Sequence, residues 1–394
     1  PDGNHLEESG GDGGMKWETY KLKQLCSEIV DCVNKTAPTS DVPTPYKMLR
    51  TSDIRGGKIN LENLNCVTKE VYEKWTRRGK LQKGDVIFTR EAPLGEVGLV
   101  REEKNYFLGQ RLVLFRSNDK ICDGRFLMYS LLWHDNKQAI ISKGVGSTVA
   151  HLRVPECENI EIKVPDLDAQ HRIADILSAY DDLIENNQKQ IKLLEEAAQR
   201  LYKEWFVDLR FPGHENTKIV DGVPEGWSRG LLKELISVNY GKDHKKAPDD
   251  GNIPVYGSGG LMRKCNKSLF SGEAVLIPRK GSLNNIMYVD ETFWTVDTMF
   301  YATMKQPHTA VFVYFFVKAF DMYSMNIGAA VPSMTTKILD AMDVVIPDKE
   351  TLEKFDKYAK TYFNKIKTLQ GQNEQLKTAR DLLLAKLMNG KVEV

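Results

Sequence analysis

The amino-acid sequence predicts an α+β fold with an internal pseudo-twofold repeat, in which two globular domains alternate with two long helices. Three observations predict this organisation. Residues 168–206 and 349–389 carry apolar side chains at helical spacing and almost no glycine or proline. Each stretch follows a strand-like run that ends in Pro-Asp, and the segments before the two runs also correspond to each other. The predicted order is therefore globular domain, long helix, globular domain, long helix.

The two helical stretches share a register. A shift of 182 residues places Pro165 on Pro347 and aligns two series of residues spaced seven apart. The series are residues 173, 180, 187, 194 and 201 and residues 355, 362, 369, 376 and 383. This spacing is typical of a coiled-coil seam, in which Asn187 would be a polar, register-setting position. At about 1.5 Å per residue each helix is roughly 60 Å long, and we expect the two helices to pack on each other.

The globular segments correspond as well. The segment that starts at Trp17 (WETYKLKQL) matches the one at Trp227 (WSRGLLKEL), and GDVIFTREAPLGEVGLV from Gly84 matches GEAVLIPRKGSLNNIMYV from Gly272. Both of the latter alternate between apolar runs and a basic turn, which predicts a hairpin. YFLGQRLVLFR then corresponds to FWTVDTMFYAT, and GVGSTVAHL to NIGAAVPSM. The scaffold is repeated while its contents diverge, which favours two recognition units for different targets held in a fixed relation.

The composition bounds the class of protein. The 394 residues carry 55 Lys and Arg against 54 Asp and Glu, so any nucleic-acid site has to be a local patch. The sequence contains no run of eighteen apolar residues, so it predicts no membrane span. The six cysteines form no C-x-x-C pair, and we expect them to be reduced thiols in a cytoplasmic protein. Residues 1–14 resemble an expression-derived or disordered tail, with Met15 as the expected native start.

The sequence offers no convincing catalytic centre. It contains no nucleotide-binding G-x-x-x-x-G-K-[ST] loop, no G-x-G-x-x-G, no Asp/Asn-Pro-Pro-aromatic tetrad of amino-methyltransferases, and no G-x-S-x-G around Ser147. The second copy replaces Ser147 and Thr148 by Ala329 and Ala330, so a nucleophile at this position would be lost from half of the protein. We therefore expect neither a catalytic residue nor a metal ligand in this chain.

A nuclease remains an alternative. Glu156, Glu161 and Lys163 form an acid-plus-E-x-K arrangement that could hold a divalent metal, but the second copy has no counterpart. The simpler interpretation is a strand, IEIKV, whose polar residues face solvent.

Basic residues lie among Gly, Ser and Asn in the predicted loops, a combination that suits contacts with phosphates and with base edges. In the first half the candidate DNA-binding residues are Arg77, Arg78, Arg90, Gln110, Ser147, Thr148 and His151. In the second half they are Lys245, Lys246, Ser258, Arg263, Arg279, Lys280 and Ser282. Arg111 and Asp297 are expected to brace their domains through internal ion pairs.

At these residues the chain resembles the specificity subunit of type I restriction–modification systems. PYKMLRTSDIRGGKINLEN, REAPLGEVGLV, LGQRLVLFR, GSTVAHL and VPDLDAQHRIADIL are similar to the family's first target-recognition domain and its helix. IPVYGSGG, PRKGSLNN and FWTVDTMFY resemble a second kind of recognition domain. The resemblance extends over residues 17–390. It departs from the pattern where Ala329, Ala330 and Pro332 replace the Ser-Thr loop, and where the second helix begins KETLEKFDKYA.

The resemblance implies a non-catalytic, DNA-binding subunit. Two target-recognition domains, residues 15–166 and 211–347, would each read one half of a bipartite, asymmetric site in double-stranded DNA. Two antiparallel coiled-coil helices, residues 167–210 and 348–394, would separate them and dock partners. Those partners would be two methyltransferase (modification) subunits and the restriction subunits. S-adenosylmethionine, ATP and Mg are expected in the partners, and no cofactor in this chain.

Two other functions stay open from the residues alone. The chain could be an autonomous metal-dependent endonuclease, which cleavage by the purified chain with magnesium would support. It could also be a coiled-coil scaffold whose basic loops bind protein, which indifference to DNA sequence would favour.

Overall fold

The computed structural model describes residues 16–146, 149–325 and 333–394. The chain divides into two compact units. The first unit comprises the chain up to Asn186 together with Gln372–Val394, and the second unit comprises Asn187–Gly371. Each unit therefore contains one globular part and one half of each long helix.

Short strands dominate the globular part of the first unit. They are β1 (Glu18–Lys21), β2 (Cys26–Asp31), β3 (Lys47–Leu49), β4 (Ile54–Arg55), β5 (Lys58–Ile59), β6 (Asn65–Cys66), β7 (Val86–Thr89), β8 (Val97–Leu99), β9 (Tyr106–Leu108), β10 (Leu112–Ser117) and β11 (Glu161–Val164). The helices up to the first long one are α1 (Leu22–Leu25), α2 (Lys69–Trp75), α3 (Gly124–Leu132), α4 (His134–Ser142), α5 (Val154–Glu158) and α6 (Leu167–Tyr202).

Longer strands form the globular part of the second unit. The strands are β12 (Ile219–Val220), β13 (Val223–Pro224), β14 (Ser228–Leu231), β15 (Ile236–Tyr240), β16 (Ile253–Gly257), β17 (Gly260–Cys265), β18 (Phe270–Pro278), β19 (Met287–Thr295), β20 (Met299–Met304) and β21 (Asp343–Ile346). The helices are α7 (Ala310–Lys318), α8 (Thr336–Asp340) and the second long helix α9 (Lys349–Met388).

The predicted internal repeat is confirmed by matching strand pairs. β1, which follows Trp17, pairs antiparallel with β11, the strand before α6. β14, which follows Trp227, pairs antiparallel with β21, the strand before α9. Both predicted hairpins also form, β7 with β8 in the first unit and β18 with β19 in the second. The fold is α+β, as the sequence predicts.

The main sheet of the first unit has the strand order β2-β10-β7-β8 and is antiparallel throughout. The side chains of each strand point alternately into two cores, because successive side chains of a strand lie on opposite faces of the sheet. Val86 and Phe88 pack with Phe126 of α3, whereas Ile87 packs with Leu49 on the other face. Apolar cover on both faces explains why VIFT is buried without interruption.

The sheet of the second unit has the order β15-β20-β18-β19-β16-β17, and its β16–β19 pair is parallel. The same alternation divides β18 between two cores. Val275 and Ile277 pack with the aromatic residues of α7, and Ala274 and Leu276 pack with Phe293 on the opposite face. The connections of this sheet hold six candidate residues of the second half: Lys245 and Lys246 between β15 and β16, Ser258 between β16 and β17, and Arg279, Lys280 and Ser282 between β18 and β19. The seventh candidate, Arg263, lies in strand β17 and not in a loop, because its segment pairs with β16.

The Pro-Asp dipeptides mark the starts of the long helices because the aspartates cap them. Asp166 Oδ1 accepts the backbone N–H of Ala169 (2.8 Å), and Asp348 Oδ1 accepts that of Thr351 (2.9 Å). A carboxylate at this position satisfies an N–H group that has no partner inside the helix. Asp348 also accepts the indole N–H of Trp227 (2.9 Å), so the second cap is tied to the start of β14.

The two long helices pack against each other in opposite directions within each unit. In the first unit, Ile173 near the start of α6 shares a core with Leu387 near the end of α9. In the second unit, Tyr202 at the end of α6 shares a core with Phe355 near the start of α9. The antiparallel arrangement is therefore present in both units.

The predicted seam lies on the buried side of both helices. The ten positions spaced seven apart are buried or half-buried, with Asn187 buried among them. A second buried or half-buried series, which the sequence did not single out, lies four residues further along. It comprises Leu177, Ile184, Ile191 and Ala198 in α6 and Trp205 in the helical turn that follows α6. Two series three to four residues apart form the apolar stripe of a helix that packs on a neighbour. Among the described residues, no helix is long and apolar enough to cross a membrane.

Candidate nucleic-acid interface

Three candidate residues of the first half meet in one pocket. Arg90, Gln110 and His151 line a cavity of about 270 Å³. The other lining residues, which the sequence analysis did not propose as DNA contacts, are Asn34, Glu91, Arg111 and Leu152. The residues come from four separate loops, so only the tertiary structure brings them together.

Backbone hydrogen bonds hold these loops in place. Arg90, directly after β7, donates its N–H to the carbonyl of Arg111, directly before β10 (2.8 Å). Leu152 donates to the carbonyl of Arg90 (3.0 Å), and His151 exchanges two hydrogen bonds with Val145 (2.9 and 3.0 Å). The rim of the pocket is therefore attached to the central sheet of the unit.

The Arg90 guanidinium stabilises this pocket from within. Only 16 % of its side chain is exposed, and it donates to Asp31 Oδ1 (3.1 Å) and to the carbonyl of Leu152 (3.1 Å). Arg111 forms an ion pair with Glu91 (3.1 Å), as predicted. Because both arginines are paired with carboxylates, the pocket offers a balanced set of donors and acceptors rather than a concentrated positive charge.

The groups at the pocket rim suit the edge of a base. Gln110 is exposed and its Oε1 accepts a hydrogen bond from Thr36 (3.2 Å), while His151 is half-buried. An amide and an imidazole offer donors and acceptors at fixed positions, which is the chemistry that distinguishes one base edge from another. Ser147 and Thr148, the other candidates of this loop, lie outside the described residues.

The remaining candidates of the first half lie beside α2. Arg77 is exposed. Arg78 donates to the carbonyl of Cys32 (3.0 Å) and lies 3.8 Å from Asp31, the carboxylate that also holds Arg90. Arg78 is therefore connected to the pocket through Asp31, which also pairs with Arg90. Of the two arginines, the exposed Arg77 is the one more available to a phosphate.

In the second unit, the connection between β18 and β19 contacts the β16–β17 turn. Asn285 donates to the carbonyl of Ser258 (2.9 Å), and a Cβ on Gly281 would lie 2.8 Å from Ser258 Oγ. Arg279, Lys280 and Ser282 lie in this connection, with Lys280 and Ser282 exposed. We call residues 279–285 the basic loop. The structure thus brings together four of the seven candidates of the second half.

Arg279 lies over an aromatic ring. Its guanidinium is 5.4 Å from the centroid of Tyr240, and its Nη1 donates to the backbone carbonyl of Asp297 (3.4 Å). This contact uses the backbone carbonyl of Asp297. Among residues 149–325 and 333–394 the Asp297 carboxylate forms no ion pair, so the expectation that it braces its domain through one is not met. Stacking on an aromatic face is a common arrangement of arginine.

Arg263 differs from the neighbouring lysines. Its guanidinium is bonded to the carboxylate of Asp249, to the carbonyl of His244 and to the carbonyl of Ala247 (2.8 Å), so it braces the segment before β16. Lys245 and Lys246 lie in that segment and are exposed. Of these three candidates, the lysines are the groups available to a phosphate.

The sequence analysis missed an exposed apolar group next to the basic loop. Leu261 and Met262 in β17 are exposed, as are Tyr240 at the end of β15 and Tyr323. Tyr323 donates its hydroxyl to the carbonyl of Gly281 in the basic loop (3.2 Å). In a regular strand, one of two successive residues such as Leu261 and Met262 points to the core and the other to solvent. The local sequence therefore did not indicate that both side chains would be exposed.

The residues of the nuclease alternative have local structural roles. Glu156 accepts hydrogen bonds from the backbone and guanidinium of Arg153 at the start of α5, and these hydrogen bonds lower the pKa of the Glu156 carboxyl. Glu161 and Lys163 are exposed on β11, and Ile162 between them is buried. This is the alternation that the simpler interpretation predicts.

Comparison with known proteins gives consistent similarities. A family model described as “Type I restriction modification DNA specificity domain” matches residues 15–196 and 224–378. The MjaIX specificity subunit of Methanocaldococcus jannaschii is 25% identical over 353 residues, which cover 79% of this chain and 78% of that protein. The HindI specificity subunit of Haemophilus influenzae is 22% identical over 476 residues, covering 95% and 99%. The crystal structure of a type I S subunit from M. genitalium has a TM-score of 0.61 at 19% identity and covers 98% of both chains.

Proposed function

The chain belongs to the family of type I restriction–modification DNA specificity subunits, which are non-catalytic, and from this premise we propose that it reads a bipartite, asymmetric DNA site. Each globular part reads one half of the site. The subunit directs a methyltransferase to that site, and with restriction subunits it directs cleavage.

The observation that carries this proposal is the repeat with divergent contents. The strand pairs before α6 and α9 are equivalent, yet the loops they support differ. The first unit offers a charge-balanced pocket around Gln110 and His151, whereas the second offers exposed Lys280 beside Arg279 and Tyr240. Two recognition surfaces of different chemistry on equivalent scaffolds fit two half-sites of different sequence.

The partners and cofactors follow from the same premise. Two methyltransferase subunits would bind the long helices, hold S-adenosylmethionine and methylate adenine in each half-site. Restriction subunits would add ATP- and Mg-dependent cleavage. The chain itself would need only to bind double-stranded DNA and to position these partners.

We further propose that the long helices set the distance between the half-sites. Half-site centres about one helical turn apart, roughly 34 Å, would let both recognition surfaces face the same side of the duplex. Seven residues inserted into each helix preserve the heptad and lengthen it by about 10 Å. The unread spacer should then grow by about three base pairs, given about 3.4 Å per base pair.

The first experiment defines the target. The chain is expressed with its methyltransferase partner in a host that lacks other adenine methylation, and the genome is sequenced by a method that detects methylated bases. We expect one methylated motif made of two different halves and a spacer of constant length. Methylation that ignores sequence would contradict the proposed function and favour a protein-binding scaffold.

The second experiment tests the spacing. The heptad insertion is made after Gln188 and after Gln370, both exposed positions of the long helices. The control places the same seven residues in the exposed segment next to Val42, away from both helices. A longer spacer in the first variant alone supports the proposal, and an unchanged spacer in a correctly folded helix variant refutes it.

The third experiment separates base contacts from phosphate contacts. Gln110→Ala should relax one position of one half-site at a cost of about 1–3 kcal/mol. Lys246→Ala should weaken binding to all sequences alike and reduce its salt dependence. If both variants weakened binding equally for every sequence, the assignment of Gln110 to a base would be wrong.

A further inference from the structure

We propose that the β16–β17 hairpin carries an apolar wedge, formed by Leu261 and Met262, that inserts between neighbouring base pairs and bends the DNA. The inference rests on the proposed function, since it requires the second unit to bind a duplex. It adds an activity, deformation of the DNA, to the base and phosphate contacts of the proposed function.

Both side chains of the wedge are exposed, 60% for Leu261 and 55% for Met262. In a regular strand two successive residues point to opposite faces. Here the register shifts between Val255 and Tyr256, because Val255 pairs with Arg263 and Tyr256 pairs with Leu261. Met262 is the extra residue of this bulge, and bulges redirect side chains in this way.

The tip is held rigidly. Gly257 pairs with Gly260 across a two-residue turn, and a Cβ on Gly257 would lie only 2.4 Å from Met262 Sδ. The methionine therefore packs directly over the backbone of the neighbouring strand. Ser258 in the turn accepts the hydrogen bond from Asn285 of the basic loop (2.9 Å). A wedge has to keep its position against a stacked duplex, and these contacts fix it.

Cationic side chains lie near the wedge, and they favour a nucleic-acid duplex as its occupant. Arg279 and exposed Lys280 lie in the basic loop that contacts the turn, and exposed Lys264 follows the wedge along β17. Exposed Tyr323 donates to the same loop. An apolar tip flanked by cations matches base pairs flanked by phosphates. Leucine and methionine are among the side chains that proteins insert from the minor groove, bending DNA by about 20–90°.

The experiment uses the whole chain in complex with its methyltransferase partner and a duplex that contains the methylated motif. 2-Aminopurine replaces one adenine at a time across the half-site, because it pairs with thymine as adenine does and its fluorescence rises when it loses its stacking partner. The bend is measured by energy transfer between dyes at the duplex ends. The test variant is Leu261→Ala/Met262→Ala. The matched control is Ile219→Ala/Val220→Ala, an exposed apolar pair on the β12–β13 hairpin of the same unit.

Methyltransferases flip their target base out of the stack, so the two methylated adenines are left out of the comparison. We expect the wild-type complex and the control variant to raise the fluorescence at one other step of one half-site and to bend the duplex by about 20–90°. The test variant should lose both signals and bind the specific duplex about tenfold more weakly. Lys280→Ala should weaken binding and keep both signals at saturation, because it removes a phosphate contact and leaves the wedge.

Three results would overturn the wedge. Unstacking and bending that persist in the test variant would assign them to other residues. Specific methylation with no unstacked step other than the methylated adenines would remove the wedge and leave the proposed function intact. Loss of methyltransferase binding by the test variant, with unaltered circular dichroism, would assign Leu261 and Met262 to a protein contact. Methylation without sequence preference would instead contradict the proposed function itself.

Discussion

Replacing Asp348 by alanine should destabilise the protein more than replacing its repeat counterpart Asp166. Both aspartates cap a long helix, but only Asp348 also accepts the indole N–H of the buried Trp227 (2.9 Å). The equivalent Trp17 Nε1 is buried without a hydrogen-bond partner among the described residues. The two ends of the repeat therefore provide an internal comparison of a cap with and without a tethered tryptophan.

The structure sets the expected magnitudes. Loss of an N-cap costs about 0.5–2 kcal/mol, and the exposed Asp166 should fall in the lower half of that range. At Asp348 the loss of a hydrogen bond to a charged acceptor adds about 1.5–3 kcal/mol, because Trp227 keeps a desolvated donor. We expect a total of about 2–5 kcal/mol for Asp348→Ala.

The assay is urea denaturation followed by circular dichroism, applied to two double-mutant cycles. Asp348→Ala combined with Trp227→Phe should show a coupling energy of about 1–2 kcal/mol, since either change removes the same hydrogen bond. Asp166→Ala combined with Trp17→Phe should show coupling near zero. Equal coupling in both cycles, or none in the first, would refute the reasoning.

The same cap predicts a pH dependence. Burial raises the pKa of Asp348, but the hydrogen bonds from Thr351 and Trp227 outweigh it and the net pKa lies below its ordinary value of 3.8. A carboxyl group whose pKa is lower in the folded state than in the unfolded state stabilises the folded protein. This stabilisation is complete at pH values above the pKa of the unfolded state and is lost as the pH falls through the pKa of the folded state. The stability difference between wild type and Asp348→Asn should thus be constant near neutral pH and shrink below about pH 4. A difference that grew on acidification would contradict the assignment.

Three further predictions concern the long helices and one thiol. Leu387→Ala should destabilise by about 2–5 kcal/mol because Leu387 is fully buried between the helices, whereas exposed Leu382→Ala should stay within about 0.5 kcal/mol, as urea denaturation would show. Gly371→Ala should stabilise by about 0.5–1 kcal/mol in the same assay, since the added methyl group meets open space inside a helix. Cys66 should react with iodoacetamide before the buried cysteines, because the hydrogen bond from Lys47 (2.9 Å) lowers the pKa of the Cys66 thiol. The Lys47→Met variant should slow this reaction, as a time course followed by mass spectrometry would show.

Much of the fold could be predicted because its signals are local or repeated. The helices end within a few residues of their predicted limits, and the Pro-Asp lead-ins are the caps that start them. The division into compact units could not be predicted from such local signals. It passes through both long helices at Asn186 and Gly371, since contacts between distant segments and not chain order decide which residues belong to one unit.

The candidate site was predictable by residue type and less so by role. Basic, amide and hydroxyl side chains in predicted loops were the criterion for the candidates, and three of these, Arg90, Gln110 and His151, share a pocket. Their types could not show that Arg90 is held by Asp31, or that Arg263 is held by Asp249. An internal ion pair depends on a partner far away in sequence.

The sequence by itself determined the repeat, the two long helices and the family, because periodicity and motif order are properties of neighbouring residues. The tertiary structure alone decided which polar groups face solvent and which brace a loop. It also decided that Leu261 and Met262 are exposed together, because a strand bulge is set by pairing with another strand. The direction of these two side chains follows from hydrogen bonds between β16 and β17, and the local sequence pattern does not predict it.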